Sequence, residues 1–430
     1  MQTPMTTVAI PSQTYRWVML FGVWLIYFCF GLTVSALAPL VRPITEDLSM
    51  SYAAMGNVLG AWQLIYIGTA LPCGALINRF GLRRSLLMAS LLMGASALLR
   101  SQAQDYTMLL IAVALFGLGG PLISIGAPKL ISLWFEGPQK GLAMGLYVTG
   151  PALGSIAALS LTNSVAMPIF DNQWRSVLFS YGVVVLLSGV VWWVINLEPG
   201  SRQLEQKSLQ EARPAQWVLF LQLSRIRAVQ YVLLISIGIF LYNHGLSNWL
   251  HEILMTRGLS SEKAGIWASL PTMIGVLGAL LIPRKATPPY RIRILTALFL
   301  LAGSASLCFQ SSTEWILLLG LVLKGITQGS MMTILLLVLM EIPEVGSKNS
   351  GSAGGMFFAA AEIGGVLGPL GLGVLSEWTG NFQGALGGLT FVCLLLIRLL
   401  SLLQRSEESS TDYTRSQRIS TMFRPIFASC

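Results

Sequence analysis

Long apolar runs recur along the whole chain, near residues 17–40, 52–77, 85–103, 107–134, 141–166 and 175–196, and again near 227–250, 262–282, 292–310, 314–340, 351–376 and 382–403. A helix needs roughly 20 apolar residues to cross a hydrocarbon core. The pattern therefore predicts an all-α membrane protein with twelve transmembrane helices. Spans of that length use about 240 residues and leave no room for a large soluble domain. Between the sixth and seventh runs, Glu198 to Arg227 holds three acids and five bases and is the only long polar interior segment. It divides the chain into a six-helix bundle over 1–197, a cytoplasmic linker over 198–226 and a second six-helix bundle over 227–404. The last stretch, 405–430, is rich in serine and charge and is expected to be a disordered tail.

Composition narrows the classes. Only 10% of the 430 residues are charged and 54% are hydrophobic, against about 25% charged in an ordinary soluble domain. A soluble enzyme and a disordered chain are both excluded. A formal net charge of +9 raises nucleic acid as a partner, but no basic stripe interleaved with exposed aromatics accompanies it. The bases follow topology instead. With a cytoplasmic N-terminus, twenty Lys and Arg fall on inner loops, ends and helix termini, and five, Arg42, Arg100, Arg175, Arg257 and Lys263, fall outside. This bias puts both termini in the cytoplasm and predicts a multi-pass protein of a bacterial inner membrane. The first run lacks a small-residue cleavage site and does not read as a signal peptide. Five scattered cysteines have neither metal nor redox spacing and read as small apolar residues.

An internal repeat supports the two halves. The fifth run contains Gly150-Pro151-Ala152-Leu153-Gly154, and its counterpart six helices later contains Gly364-Gly365-Val366-Leu367-Gly368-Pro369-Leu370-Gly371. Gly-Pro in the same ordinal helix of each half is what a duplicated six-helix unit predicts. Glycine lets helices approach closely, while proline frees a carbonyl and bends the helix. Gly150, Pro151, Gly154, Gly368 and Pro369 are therefore expected at helix bends.

Between the second and third runs the sequence reads Gly74-Ala75-Leu76-Ile77-Asn78-Arg79-Phe80-Gly81-Leu82-Arg83-Arg84. This resembles the major facilitator superfamily loop signature: glycine, three residues, aspartate, arginine, an aromatic, glycine, then a basic cluster. The twelve spans, the six-plus-six split and the Gly-Pro pair extend the resemblance over the whole chain. So does Trp134-Phe135-Glu136-Gly137 running into Lys140-Gly141-Leu142-Ala143-Met144-Gly145. The resemblance implies the major facilitator fold, two pseudo-symmetric six-helix bundles working by alternating access. It also implies that Gly74, Asn78, Arg79, Gly81, Arg83 and Arg84 form a gate whose arginines reach carbonyl ends or acids of the other half and latch the inner face shut. Two departures stand out. Asn78 replaces the usual aspartate, and the matching loop of the second half, Pro283 to Pro289, keeps its bases but not the signature. The Trp134-Phe135 loop and the run from Gly245 through Asn248-Trp249-Leu250 to Ser260 are also similar to the cyanate-permease and nitrate or small-acid branches. The arginine that proton-coupled drug exporters of the family carry in helix four is replaced here by Val113-Ala114-Leu115-Phe116 before Gly117-Leu118-Gly119.

A charge at the bilayer centre costs at least about 2.5–3.5 kcal/mol, so buried ionisable residues are functional candidates. Three stand out. Lys129 lies near the inner end of helix four, within snorkelling reach. Lys324 lies ten residues after Glu314, about 15 Å deep, and Glu362 sits at about the same depth on the next helix, which runs the opposite way. Two readings follow: a structural ion pair, or a lysine that attracts an anionic solute beside a carboxylate that carries a coupled proton. Trp24, Tyr27, Trp62, Gln63, Tyr66, Asn243, His244 and Gln328 lie near the same depth. Substrate contacts are expected from Lys324, Gln328, Asn243, His244, Tyr27, Gln63 and Tyr66, and proton coupling from Glu362.

These features predict a monomeric secondary transporter of a small, anionic solute, coupled to protons, embedded in the lipid bilayer and needing neither cofactor nor metal. No phosphate-binding glycine-lysine motif points to ATP, and no mid-membrane catalytic constellation points to an enzyme. An efflux antiporter of the same fold is the alternative, and a non-transporting membrane sensor a minor one.

Overall fold

The computed structural model describes residues 14–198 and 221–423; within these, the side chains of Leu71, Asn78, Pro138, 346–352 and 406–423 lie outside the description. Most of the expected linker therefore lies outside the described residues. Among those residues there is no strand, and the chain forms twelve long helices. In the first half these are α1 (Tyr15–Ser35), α2 (Tyr52–Phe80), α3 (Leu82–Ser101), α4 (Tyr106–Trp134), α5 (Gly137–Leu161) and α6 (Trp174–Ile195). The second half holds α7 (Arg227–Thr256), α8 (Ser261–Lys285), α9 (Arg291–Cys308), α10 (Glu314–Glu341), α11 (Gly346–Thr379) and α12 (Phe382–Phe423). Among the described residues eleven stretches are long and apolar enough to cross a membrane; α2, at 29 residues, matches α4 in length. It carries Asn57, Gln63 and Thr69 and lies between α4 and α11.

The predicted boundaries hold to within a few residues, with two differences of substance. The sequence carries the first helix to residue 40, but α1 stops at Ser35 and the chain turns through Ala38–Leu40 and a short helix, Val41–Asp47. Pro39 is the cause: it offers no N–H, and its ring clashes with the carbonyl four residues earlier, that of Ser35. At the other end the last helix extends beyond the predicted residue 403, and residues 424–430 of the expected tail lie outside the described residues. The helix runs on to Phe423, because elongating a formed helix is far easier than nucleating one and no Gly or Pro interrupts the sequence between Gln404 and Phe423.

Helix packing repeats itself. α1 packs on α5 and α6, α2 on α4, and α3 on α4 and α6; six helices later α7 packs on α11 and α12, α8 on α10, and α9 on α10 and α12. The two halves meet along α2 with α11 and α5 with α8, pairs that the same shift interchanges. The face where α1 begins is called the terminal face here, and the opposite one the distal face. Three helices that enter from the distal face are capped by side chains: Ser51 accepts from Ala54 N, Asp105 from Met108 N and Ser260 from Lys263 N.

The repeated Gly-Pro segments lie in the tightest seams. Pro151 and Pro369 sit inside helices, and the glycines beside them bring backbones into contact. A Cβ on Gly154 would overlap the Phe28 carbonyl, and one on Gly31 the Pro151 carbonyl; Gly150 would lie 3.0 Å from Trp24 O. In the second half, Gly364 meets Ile237 O and Gly368 meets Leu241 O in the same way. These are backbone atoms and cannot step aside. Gly154→Ala and Gly364→Ala should each cost about 1–3 kcal/mol or more through overpacking, read as a lower thermal unfolding midpoint of the purified chain. Gly141→Ala, where a Cβ meets nothing within 4 Å, should leave the midpoint in place; equal midpoints for all three would overturn this account.

Candidate functional site

Polar groups converge at mid-depth between the halves. Lys324 on α10 is 1% exposed, and its Nζ donates to Ser247 Oγ of α7 (3.0 Å) and to Gln328 Oε1 one turn along its own helix (2.7 Å). Asn243 Nδ2 faces the Gln328 carbonyl at 3.4 Å. Gln63 Nε2 of α2 lies 3.2 Å from His244 Nδ1 of α7, which ties the halves together at this level. Tyr27 and Tyr147 stack at 5.4 Å, and Trp62 stands edge-on to Tyr66 and Phe30. Of the residues expected to contact substrate, Lys324, Gln328 and Asn243 share hydrogen bonds, Gln63 and His244 join across the halves, and Tyr66 packs on Trp62. Tyr27 reaches the group through Phe30, its ring 5.5 Å away.

Lys324 and Glu362 form no ion pair. Glu362, 7% exposed, turns instead toward α2, where its Oε2 and the Gln63 Cγ flank Gly365. Of the two readings for these charges, the permanent pair is the one this geometry does not contain. Three buried oxygens here, Glu362 Oε2, Gln63 Oε1 and Asn243 Oδ1, have no hydrogen-bond donor among the described residues.

Above this level the distal face is sealed between the halves. Arg42 Nη2 and Tyr52 Oη both reach Glu252 Oε1 at 2.8 Å, and Ala53 N donates to Glu377 Oε2 at 2.9 Å. Asn163 Nδ2 lies 2.9 Å from His251 Nε2 and donates to Pro39 O. Beneath these clamps, backbones touch through glycine. A Cβ on Gly56 would lie 2.5 Å from Pro369 O, one on Gly60 2.9 Å from Val366 O, and one on Gly265 2.5 Å from Leu159 O. Toward the terminal face the halves separate, and Gly68, Gly74, Gly141 and Gly145 have open space beside them.

A bundle with this topology and a midplane site has known relatives. The sequence profile of the Major Facilitator Superfamily matches residues 23–347. The chain belongs to that superfamily. It is 27% identical over 395 residues to a hexuronate transporter of Bacillus subtilis, covering 85% of this chain and 90% of that one. It is 22% identical over 417 residues to a probable galactarate/D-glucarate transporter of the same organism, covering 88% and 90%. The fold is that of a bacterial homolog of the human lysosomal transporter Spinster, solved in an inward-facing and unoccupied conformation: TM-score 0.74, 14% identity, 92% of this chain and 98% of that one. The protein is thus a multi-pass membrane transporter, and not an enzyme.

The superfamily's loop signature is placed differently from expectation. Helix α2 continues past Gly74 to Phe80, so Gly74 is helical; the turn is made by Gly81, whose φ of +84° suits glycine. Arg83 Nε donates to Asn196 Oδ1 at 3.1 Å and its Nη2 to the Asn196 carbonyl, while Trp192 Nε1 donates back to Arg83 O at 3.0 Å. The partner is a carbonyl end of the same half. Arg79 lies exposed over the Phe80 ring and Arg84 is exposed. The Asn78 side chain lies outside the described residues. The Trp134-Phe135 loop, taken as a branch hint, packs on Tyr15 and Trp17 and anchors the start of α1.

Sequence reasoning missed two buried charges. Glu252 is fully buried in the distal seal, and Arg100, counted with the outer bases, is 1% exposed and lies inside the first half. Arg100 Nη1 donates to Thr33 O at 3.0 Å and its guanidinium stands 5.5 Å from the Phe116 ring centre. Lys129, the third charge expected in the membrane, is half-buried on α4. The distal clamp is testable. Glu252→Ala removes the acceptor shared by Arg42 and Tyr52, a change of about 1–2 kcal/mol that multiplies the distal-open population about 5–30-fold. Distance distributions between spin labels at Glu46 and Asn381, on a cysteine-free background, should lengthen; an unchanged distribution would remove Glu252 from the seal.

Proposed function

We propose that the protein carries a small organic anion together with a proton by alternating access, as a monomer in a bacterial inner membrane with both chain ends in the cytoplasm. The observation that carries this reading is the pair of separate buried charges at mid-depth. The lysine is held by neutral oxygens, and the carboxylate has an oxygen that no donor among the described residues reaches. Charge arithmetic favours symport. With Lys324 protonated and Glu362 ionised, the empty site is neutral overall. An anion on Lys324 and a proton on Glu362 make the loaded site neutral again. Antiport would alternate between a net positive and a net negative site, and an uncompensated charge at the bilayer centre costs at least about 2.5–3.5 kcal/mol.

The relatives named for hexuronate and for galactarate or D-glucarate agree with an anionic cargo. The bias of twenty inner bases against five outer ones supports cytoplasmic ends. In that orientation the sealed distal face makes this an inward-facing conformation, and Arg79, Arg83 and Arg84 would meet the other half when the terminal face closes.

Proteoliposomes holding a pH-sensitive dye, offered a panel of organic anions, test this directly. Glu362→Gln mimics the protonated form, so exchange of anion should survive while accumulation driven by a proton gradient is lost. Lys324→Ala should lose both with membrane insertion intact, because removing the charge eases insertion. Retained gradient-driven accumulation in Glu362→Gln would rule out the coupling role, and near-normal exchange in Lys324→Ala would rule out the anion anchor.

A further inference from the structure

We infer that the anion this site takes is a hydroxylated monocarboxylate, its one carboxylate on Lys324 and its hydroxyl groups donating to the amide oxygens of Asn243 and Gln63. The inference rests on the reading of Lys324 as the anion anchor and adds the rest of the molecule.

The carboxylate count comes from the donors. Among the described side chains Lys324 is the one cation at this level, and Arg100 is committed to the Thr33 carbonyl and the Phe116 ring. An ammonium has three N–H groups; Ser247 and Gln328 take two, and one remains for a carboxylate oxygen. A second carboxylate on the same ligand would be left among acceptor oxygens of Gln63, Asn243 and Glu362. Nothing there would offset its desolvation.

The hydroxyls come from the orphan acceptors. Asn243 points its Nδ2 at the Gln328 carbonyl, which fixes the sense of the amide and leaves Oδ1 as the free end. Gln63 spends Nε2 on His244, leaving Oε1 buried without a donor. A buried acceptor is costly until a donor arrives, and a ligand hydroxyl is such a donor. The two amides belong to opposite halves, so one ligand with hydroxyls on both would engage both halves at once. The stacked rings of Tyr27 and Tyr147 offer a flat wall to the C–H face of such a molecule. A site that hydrogen-bonds ligand hydroxyls rejects the analogue lacking them far more strongly than an apolar pocket rejects an added group.

Titration calorimetry on the purified full chain decides it. The probes are three hydroxylated monocarboxylates (D-glucuronate, D-galacturonate and D-gluconate), the dicarboxylate D-glucarate, the bare ring acid cyclohexanecarboxylate, and neutral D-glucose. At least one of the first three should bind about tenfold or more tighter than each of the others. Cyclohexanecarboxylate or D-glucarate binding as tightly as the best of the three overturns this inference and leaves the anion reading standing. D-glucose binding as tightly, or no carboxylate binding at all, takes down the anion reading and this inference with it. Asn243→Leu and Gln63→Leu should each pull the preference over cyclohexanecarboxylate toward parity. A preference unchanged in both variants overturns the assignment of the hydroxyl acceptors.

Discussion

An ammonium in the middle of a membrane bundle must be solvated by something, and in this protein the solvent is a serine hydroxyl and a glutamine oxygen rather than a carboxylate. Much of the site follows from that choice. Ser247 ties α7 to α10, Gln328 turns its side chain back along its own helix, and Asn243 donates to the Gln328 backbone carbonyl. Neutral partners also leave the lysine its charge. A carboxylate in contact would cancel that charge and make separation costly. Glu362, one helix away, faces α2 instead, so of the two charges that the second half carries at this depth, one lies against the first half.

The architecture around this point was legible because membrane helices announce themselves by length. The six-plus-six division and the Gly-Pro repeat at Gly150-Pro151 and Gly368-Pro369 led directly to seams that recur in the structure, α1 with α5 and α7 with α11. Depth arithmetic along α10 and α11 found Lys324 and Glu362 for the same reason: a fixed rise per residue converts sequence position into depth. Rotation around the helix is harder to read, and that is where the sequence fell short. Depth alone put the two charges level; only packing shows that they face different neighbours.

Arg100 illustrates a second limit. Near the distal end of its helix it counted as an outer base, yet side chains on a helix lean toward its N-terminus, and this one leans back into the bundle. Its partner exists because Pro39 ends α1 at Ser35, leaving the last carbonyls, Thr33 among them, without helical donors. A cation at a helix C-terminus is favourable. Joining Pro39 to Arg100 across more than sixty residues requires tertiary information that periodicity does not contain. Glu252 is similar, an acid at the end of an apolar run whose burial depends on Arg42 and Tyr52 arriving from the other half.

The glycine seam between α2 and α11 differs in kind from an interlocked side-chain interface. Gly56, Gly60 and Gly373 bring backbone against backbone, so parting the halves there exposes carbonyls and short stretches of chain more than apolar side chains. Exposed apolar surface is what gives a conformational change its large heat capacity. Opening along this seam accordingly carries a small one, so its enthalpy stays nearly constant with temperature and a van't Hoff plot of the two conformations stays close to a straight line.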